Sequence, residues 1–289
     1  MKNYVLYNPL AGHGKSQDYL DTLKTELDGE IVMQDVTKID DYESFLSALS
    51  EEDVITICGG DGTLNRFVNN VDAESIKNRI YYYASGSGND FLRDIATGDD
   101  GKVIEINKYL EHLPTVDING KSYKFINGVG YGIDGYCCEV GDELKAKSDK
   151  PVNYTMIAIK GLLFHYKPTD ATVIVDGKEY TYKKVWIAPT MNGRCYGGGM
   201  IPTPKQDRLN KDRTVSLMVF YGKSKLKTLM IFPSIFKGEH VKHTEAVAIH
   251  EGKEITVRFD RPTPLQIDGE TVLGVTEYKV SASVMANVK

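Results

Sequence analysis

Asp61 stands among three glycines in CGGDGTLNRFVNN (Cys58–Asn70), directly after the strand-like run DVITI (Asp53–Ile57). Glycines let backbone amides close on an anion with no Cβ in the way. Thr63 lies near the start of a predicted helix, where unpaired N–H groups and the helix dipole favour phosphate. A carboxylate in such a loop repels phosphate unless a cation lies between them. The pattern points to the phosphates of a nucleotide with Mg²⁺, held by Asp61 directly or through water. An Asx-turn or a helix cap uses the same residues, so this loop alone leaves both readings open.

Two further glycine-bearing loops follow predicted strands. NPLAGHGKS (Asn8–Ser16) places Gly14, Lys15 and Ser16 as a P-loop does, but Pro9 replaces the first glycine and offers no N–H. It also misses the dinucleotide fingerprint, since Gly12 and Gly14 fit and Gln17 does not. A tight strand-to-helix turn accounts for it equally. SGSGND (Ser85–Asp90) adds a second acid, with Asn89 or Asp90 also suited to an ordinary N-cap. Loops that follow parallel strands gather at one sheet edge, where open α/β folds bind ligands.

The elements behind these loops alternate. YVLYN (Tyr4–Asn8), EIVMQDV (Glu30–Val36), DVITI and IYYYA (Ile80–Ala84) read as strands. Between them, Leu20, Leu23 and Leu27 follow a Ser16 cap, and Phe45, Leu46 and Leu49 share a face in DYESFLSALS (Asp41–Ser50). A third helix begins near Thr63 and a fourth spans NDFLRDIA (Asn89–Ala96). This is an α/β domain with a parallel sheet. After Asp117 the pattern changes. TDATVIVDGKEYTYKKVWIAPT (Thr169–Thr190) reads as a hairpin turning at Asp176-Gly177. TVSLMVFYG, HTEAVAIHEG, KEITVRFD and TPLQIDGETV continue an antiparallel sandwich or barrel. Helices are expected near 141–147, 153–165 and 225–236. The chain divides into domains at 1–117 and 118–289.

Composition narrows the function. The 289 residues are 41% hydrophobic and 26% charged, enough to bury a real core. A net charge of −5 argues against a general nucleic-acid binder. Cys58, Cys137, Cys138 and Cys195 form no C-x-x-C pair, as in a reduced cytosolic protein. The N-terminus enters a strand at once, with no signal-peptide pattern. No run approaches the roughly 18 apolar residues that span a bilayer. His240 and His243 are one turn apart with no third metal ligand in view. The segment Tyr154–Lys167 sets Leu162, Leu163 and Phe164 beside Lys160 and Lys167. It suits either an anionic bilayer or a helix packed at the domain junction.

Five motifs in order resemble the diacylglycerol kinase catalytic family, which also includes sphingosine and ceramide kinases, and are most similar to its bacterial soluble members. They are NPLAGHGK (Asn8–Lys15), GGDGT (Gly59–Thr63), GSGNDF (Gly86–Phe91), NGRCYGGGMIPTP (Asn192–Pro204) and QIDGE (Gln266–Glu270). The resemblance implies an NAD-kinase-like α/β domain, an antiparallel β-sandwich-like C-terminal domain, and ATP bound in the cleft between them. Its motifs put Asn8, Gly12, Gly14 and Lys15, then Gly59, Gly60, Asp61, Gly62 and Thr63, then Gly86, Ser87 and Asn89 at the nucleotide. Asp61 and Asp90 would join a water-mediated Mg²⁺ network. Asp268 matches the proposed general base and Glu270 its support, although Asp268-Gly269 also reads as a plain hairpin turn.

The chain departs from the family at Arg66, where an acid is usual, and at Asn69-Asn70, where Asn-Gly is usual. In RLNKDRTVSL (Arg208–Leu217), Arg213 replaces the glycine of a metal-binding turn. A structural Mg²⁺ there would lie near Leu209, Asp212 and Thr214. The implied activity is an ATP- and Mg²⁺-dependent lipid kinase, cytoplasmic and peripheral to the inner face of the membrane, with diacylglycerol as default acceptor. A kinase of a soluble acceptor and a non-catalytic nucleotide- or lipid-binding regulator are the alternatives. A homodimer through edge strands stays open.

Overall fold

A computed structural model of the chain describes residues 1–9, 21–27, 29–86, 88–96, 103–147 and 152–282. The chain forms two compact units, Met1–Leu113 and Pro114–Lys289.

In the first unit, β1 (Lys2–Tyr7), β2 (Glu30–Asp35), β3 (Val54–Gly59), β4 (Arg79–Ala84) and β5 (Val103–Glu105) form one sheet in the order β2-β1-β3-β4-β5. The first four are parallel. β3 is central and buried along its whole length, the environment that selects an unbroken VITIC run over an alternating one. β5, which the sequence did not suggest, runs antiparallel to β4 and pairs Ile104 with Tyr82. Among the described residues, this unit's helices include α1 (Tyr42–Ser47), α2 (Asp61–Asn70), α3 (Asp90–Ile95) and α4 (Asn107–Leu110). α1 starts where the Asp41 carboxylate accepts the N–H groups of Glu43 and Ser44 at 2.9 and 3.2 Å. α2 buries Leu64, Phe67 and Val68, one face at helical spacing. It begins two residues earlier than the sequence suggested, with Asp61 in its first turn. Ser16 and Leu20 lie outside the described residues; Leu23 is buried in a cluster with Val5, Cys58 and Tyr83.

The second unit is antiparallel throughout. Its strands are β6 (Thr115–Ile118), β7 (Lys121–Lys124), β8 (Gly128–Tyr131), β9 (Thr169–Val175), β10 (Lys178–Val185), β11 (Thr190–Met191), β12 (Val215–Phe220), β13 (Val247–Gly252), β14 (Glu254–Ile267) and β15 (Glu270–Ser281). They hydrogen-bond along β13-β12-β11-β8-β14-β15-β6-β7, and β9 joins β14 to β10. β14 serves two partners on the way. Ile255–Phe259 pair with β9, and Leu265–Ile267 pair with β8. Its register with β15 slips between these stretches, and such irregularities bend a strand. The sheet wraps a core that includes Val173, Leu217, Val257 and Leu265. Tyr131 stacks on Phe259 at 3.8 Å and meets Tyr278 edge-on at 5.5 Å. The expected hairpin turns at Asp176-Gly177, both with positive φ.

Three helical segments differ from the sequence reading. α5 spans Ile133–Lys147 and starts well before Gly141. α6 (Tyr154–Lys160) gives way to a π-helical turn over Gly161–His165. α7 (Lys225–Ile231) continues as a 3₁₀ turn over Phe232–Lys237, where Pro233 has no N–H to extend the α pattern.

Candidate functional site

In the first unit, the β3 and β4 exit loops touch without side chains between them. A Cβ on Gly86 would lie 2.5 Å from the Gly60 Cα, and one on Gly60 would lie 3.1 Å from the Gly86 Cα. The Ser85 N–H donates to the Gly59 carbonyl at 2.9 Å and ties the loops together. Gly59 in turn makes room for Thr63, whose Oγ1 would be 2.4 Å from an added Cβ. Gly59, Gly60 and Gly86 are thus required by close approach of backbone to backbone and to Thr63.

Asp61 uses this closeness. Its Oδ2 accepts the Asp90 N–H at 2.8 Å and its Oδ1 accepts the Phe91 N–H at 3.1 Å. An acid in the first turn of α2 therefore caps α3. The N-cap position of α3 is Asn89, which sits at φ 47° and turns its amide to the Gly86 carbonyl at 2.6 Å. The helix-cap alternative is thus realised, but on a neighbouring helix. Asp90 is buried, with Oδ1 3.2 Å from the Arg93 guanidinium. Asp61 Oδ2 and Asp90 Oδ2 lie 3.7 and 4.0 Å from where a Cβ on Gly88 would be, so both carboxylates border the same small space. Asn89 Oδ1 is buried with no hydrogen-bond partner, 3.0 Å from where a Cβ on Gly86 would be. Beneath them, burial and then the Asp61 charge hold the Tyr82 phenol well above its usual pKa. It stays protonated.

Of the other residues expected at the nucleotide, Gly62 and Thr63 lie in the first turn of α2 and Asn8 follows β1. Gly12, Gly14, Lys15 and Ser87 lie outside the described residues. Arg66 is exposed on α2.

In the second unit, Asp268 occupies the β14–β15 turn at φ 46° with Gly269 at φ 98°, so the plain-turn reading is correct for the backbone. Its side chain does more. Oδ2 accepts the Ile126 N–H at 2.6 Å, and Oδ1 accepts those of Asn127 and Gly128 at 2.8 and 3.0 Å. Three charge-assisted N–H bonds hold the carboxylate and fix its plane. The segment 126–128 is held from another side by Arg208, which donates to the Ile126 carbonyl at 3.2 Å and to Asn127 Oδ1 at 3.3 Å. Asn192 donates to the same Ile126 carbonyl at 3.0 Å. Gln266 is buried and braces the turn: its Oε1 accepts the Gly269 N–H at 2.6 Å, and its Nε2 donates to Asp134 Oδ2 at 2.9 Å. Glu270 is exposed and closes the hairpin opposite Ile267.

The sequence did not single out Asp134, Gln266, Asn127 or Arg208 for this arrangement. Only Gln266 carried a signal, as the first residue of QIDGE. The thiols near Asp134 are held protonated. Burial, then the Asp134 charge, pushes Cys137 up to about 12, and Cys138 is raised by the same causes.

Among the described residues, no group of three or more His, Cys, Asp or Glu is placed to hold a metal ion. Asp61 and Asp90 form a pair. A pair suits Mg²⁺, which keeps several waters and takes one or two carboxylates together with substrate phosphates. The turn containing Leu209, Asp212 and Thr214 is closed by amides. The Leu209 N–H donates to Asp207 Oδ1 at 2.9 Å, and Asn210 Nδ2 bridges the Asp207 and Thr214 carbonyls at 2.7 and 2.9 Å. Thr214 Oγ1 lies 2.6 Å from Glu251 Oε1. Asn210 thus links across the turn. His240 is buried and donates from Nε2 to the Pro202 carbonyl at 2.9 Å, and burial lowers its pKa. His243 faces Glu245 at 3.8 Å.

Comparison with known proteins bears on both units. Residues 2–118 match the diacylglycerol kinase catalytic domain. Residues 127–285, more than half of the chain, match the YegS C-terminal NAD kinase beta sandwich-like domain. The chain belongs to the diacylglycerol kinase family. As a member it is a kinase, and the fold implied by its motifs is the fold observed: an α/β unit with parallel strands, then an antiparallel β unit. The family member YtlR of Bacillus subtilis, named as a candidate lipid kinase, is 22% identical, over 97% of this chain and 96% of its own. The diacylglycerol kinase of Mycobacterium tuberculosis H37Rv is 26% identical, over 83% of this chain and 80% of its own. A crystal structure of a candidate diacylglycerol kinase from Bacillus anthracis superposes with a TM-score of 0.66 at 19% identity, over 99% of this chain and 96% of that one. That likeness is one of fold.

Proposed function

We propose that this kinase transfers the γ-phosphoryl group of ATP to a lipid hydroxyl in the presence of Mg²⁺, with diacylglycerol as acceptor and phosphatidic acid as product. One observation carries the donor half. Two carboxylates, Asp61 and Asp90, border a space beside glycine loops that meet without side chains, and the neighbouring residue Asn89 has a buried Oδ1 with no protein donor. An orphaned acceptor beside two acids suits a cation with its waters. Relatives named as lipid or diacylglycerol kinases support the acceptor.

Bound Mg²⁺ would neutralise charge on the transferring phosphate. Asp61 and Asp90 would hold it, and Gly59, Gly60, Gly62, Thr63 and Gly86 would admit the phosphates. Asp268 would orient the acceptor hydroxyl and receive its proton on a carboxylate oxygen. The acceptor oxygen then bonds to the γ-phosphorus while the bond to the ADP oxygen breaks. A loose transition state asks mainly for position and little for basicity. A carboxylate fixed by three N–H groups supplies position. Glu270 would add negative charge beside it. A diacylglycerol acceptor lies in a bilayer, so the enzyme would work as a peripheral protein at the membrane surface. Among the described residues, no helix is long and apolar enough to cross one.

The test is transfer from γ-labelled ATP into mixed micelles carrying diacylglycerol, monoacylglycerol, sphingosine, ceramide or a polyprenol, one at a time. Labelled phosphatidic acid formed with diacylglycerol well above the other products is the expected result. Label in a different lipid would replace the acceptor. Label in none, with ATP still bound, would favour a soluble acceptor or a regulator.

A further inference from the structure

Two neighbouring pieces of the second unit turn large apolar side chains to solvent. Phe164 lies in the π-helical turn, and Leu226 and Met230 are one turn apart on α7. They are 72%, 71% and 74% exposed, more than any other large apolar side chain among the described residues. The two pieces touch, since Lys225 Nζ donates to the Leu163 carbonyl at 2.8 Å. Their inward residues Leu162, Ile231 and Ile235 share one buried cluster with Trp186. The exposed residues are thus the outer side of two packed elements. Single exposed apolar residues are ordinary, whereas a local concentration of them marks an interaction surface.

Charge selects the occupant. Residues 153–168 and 222–238 contain six lysines (160, 167, 223, 225, 227 and 237) and no Asp or Glu, in a chain of net charge −5. Lys227 meets Glu245 at 3.2 Å, and Lys237 lies near Glu239; Lys160, Lys167, Lys225 and Lys237 are exposed. Apolar tips inserted below the headgroups with lysines at the headgroup level fit an anionic lipid surface. A second copy docking through the same patch would set lysine against lysine. We propose that Phe164, Leu226 and Met230, with the lysines of these two segments, are the surface by which this protein docks on an anionic bilayer. The sequence pointed only to the Tyr154–Lys167 half; α7 completes the patch. The proposal rests on the lipid-kinase reading, which sets the acceptor in a membrane.

The full chain is sedimented with vesicles of phosphatidylcholine alone or with added phosphatidylglycerol, without ATP or acceptor lipid. Expected is binding to the anionic vesicles that falls with salt and is much weaker on phosphatidylcholine. Substituting Phe164→Ser, Leu226→Ser and Met230→Ser together should lower partitioning more than about tenfold. Substituting Lys225→Gln and Lys237→Gln should lower it roughly 25-fold at low salt, about fivefold per lysine. Trp186 emission, which reports the fold of this unit, should not change in either variant. Full vesicle binding by the triple variant, or equal binding to both vesicle types, would overturn the proposal. So would a dimeric wild type whose triple variant is monomeric but binds vesicles undiminished; the patch would then belong to a second copy. Because no phosphoryl transfer is measured, failure of the lipid-kinase reading would appear separately, as vesicle binding without a labelled lipid.

Discussion

Replacing Asp268 with alanine removes the acceptor of three backbone N–H groups, those of Ile126, Asn127 and Gly128. Each N–H left without a partner costs about 1–3 kcal/mol. The side chain is half-buried, so water reaches part of the loop and the lower end applies, near 1 kcal/mol per donor. Alanine also tolerates φ 46° less well than aspartate, at a cost of about 1 kcal/mol. Together these come to about 4 kcal/mol, or a fall in Tm of roughly 8–16 °C for a unit of this size. Asp268→Asn keeps one acceptor oxygen and the turn preference but points an NH₂ at a donor, so about half that loss is expected. The single tryptophan, Trp186, is buried in the second unit, and its emission during thermal or urea unfolding reports the transition. An Asp268→Ala midpoint within about 1 °C of wild type would refute the reasoning, because the three bonds would then not hold the 126–128 segment. The expected loss also bears on mechanism. Inactivity of an Asp268 variant identifies a catalytic group only where the second unit is still folded at the assay temperature.

Four further outcomes follow from the geometry. Gly86→Ala should destabilise the first unit by about 1–3 kcal/mol and weaken ATP binding, because its Cβ would press on the Gly60 backbone; calorimetric titration with ATP reads both the affinity and the stoichiometry. Asp90→Asn should raise the Mg²⁺ concentration needed for half-maximal turnover, and Asp61→Asn should also lower the unfolding midpoint of the first unit, since Asp61 alone of the pair caps α3. His240 is held neutral by burial. Below its usual value near 6.5 the unfolded chain takes up a proton that the folded one resists, so the Trp186-detected Tm should fall as pH drops from 7 towards 5. A His240→Gln variant should lose that part of the slope. Burial raises the thiols of Cys58, Cys137 and Cys138, so Ellman's reagent at pH 8 should label these sites in the native protein far more slowly than in denaturant.

The sequence showed what is local. The apolar run before GGDGT read as a buried strand, and β3 is buried at every position. Positive φ at Asp176-Gly177 and Asp268-Gly269 was written in the residue types. Contacts distant in sequence were not legible. Nothing near Asp268 announces that its carboxylate reaches Ile126–Gly128, or that Asp61 caps a helix begun at Asp90. α5 was underestimated because Gly135 and Gly141 interrupt its pattern. In the fold both mark close crossings: a Cβ on Gly135 would lie 2.0 Å from the Pro264 carbonyl oxygen, and one on Gly141 would lie 2.6 Å from the Tyr154 ring. β5 was missed because three residues of edge strand carry no periodicity. The bridge that Asn210 makes across the turn at 207–214 was not legible either, because only the folded turn brings its partners together.

The central claim is that the chain moves the γ-phosphoryl group of ATP to a lipid hydroxyl through a site bordered by Asp61 and Asp90. Its most direct test is the amount of labelled phosphatidic acid formed from γ-labelled ATP, Mg²⁺ and micellar diacylglycerol, with wild type beside Asp90→Asn. The account predicts a labelled product that requires Mg²⁺ and that, at a Mg²⁺ concentration just sufficient for wild type, falls sharply in an Asp90→Asn protein that is still folded. Label that stays in ATP, or passes only to inorganic phosphate, with the folded wild-type protein would contradict it.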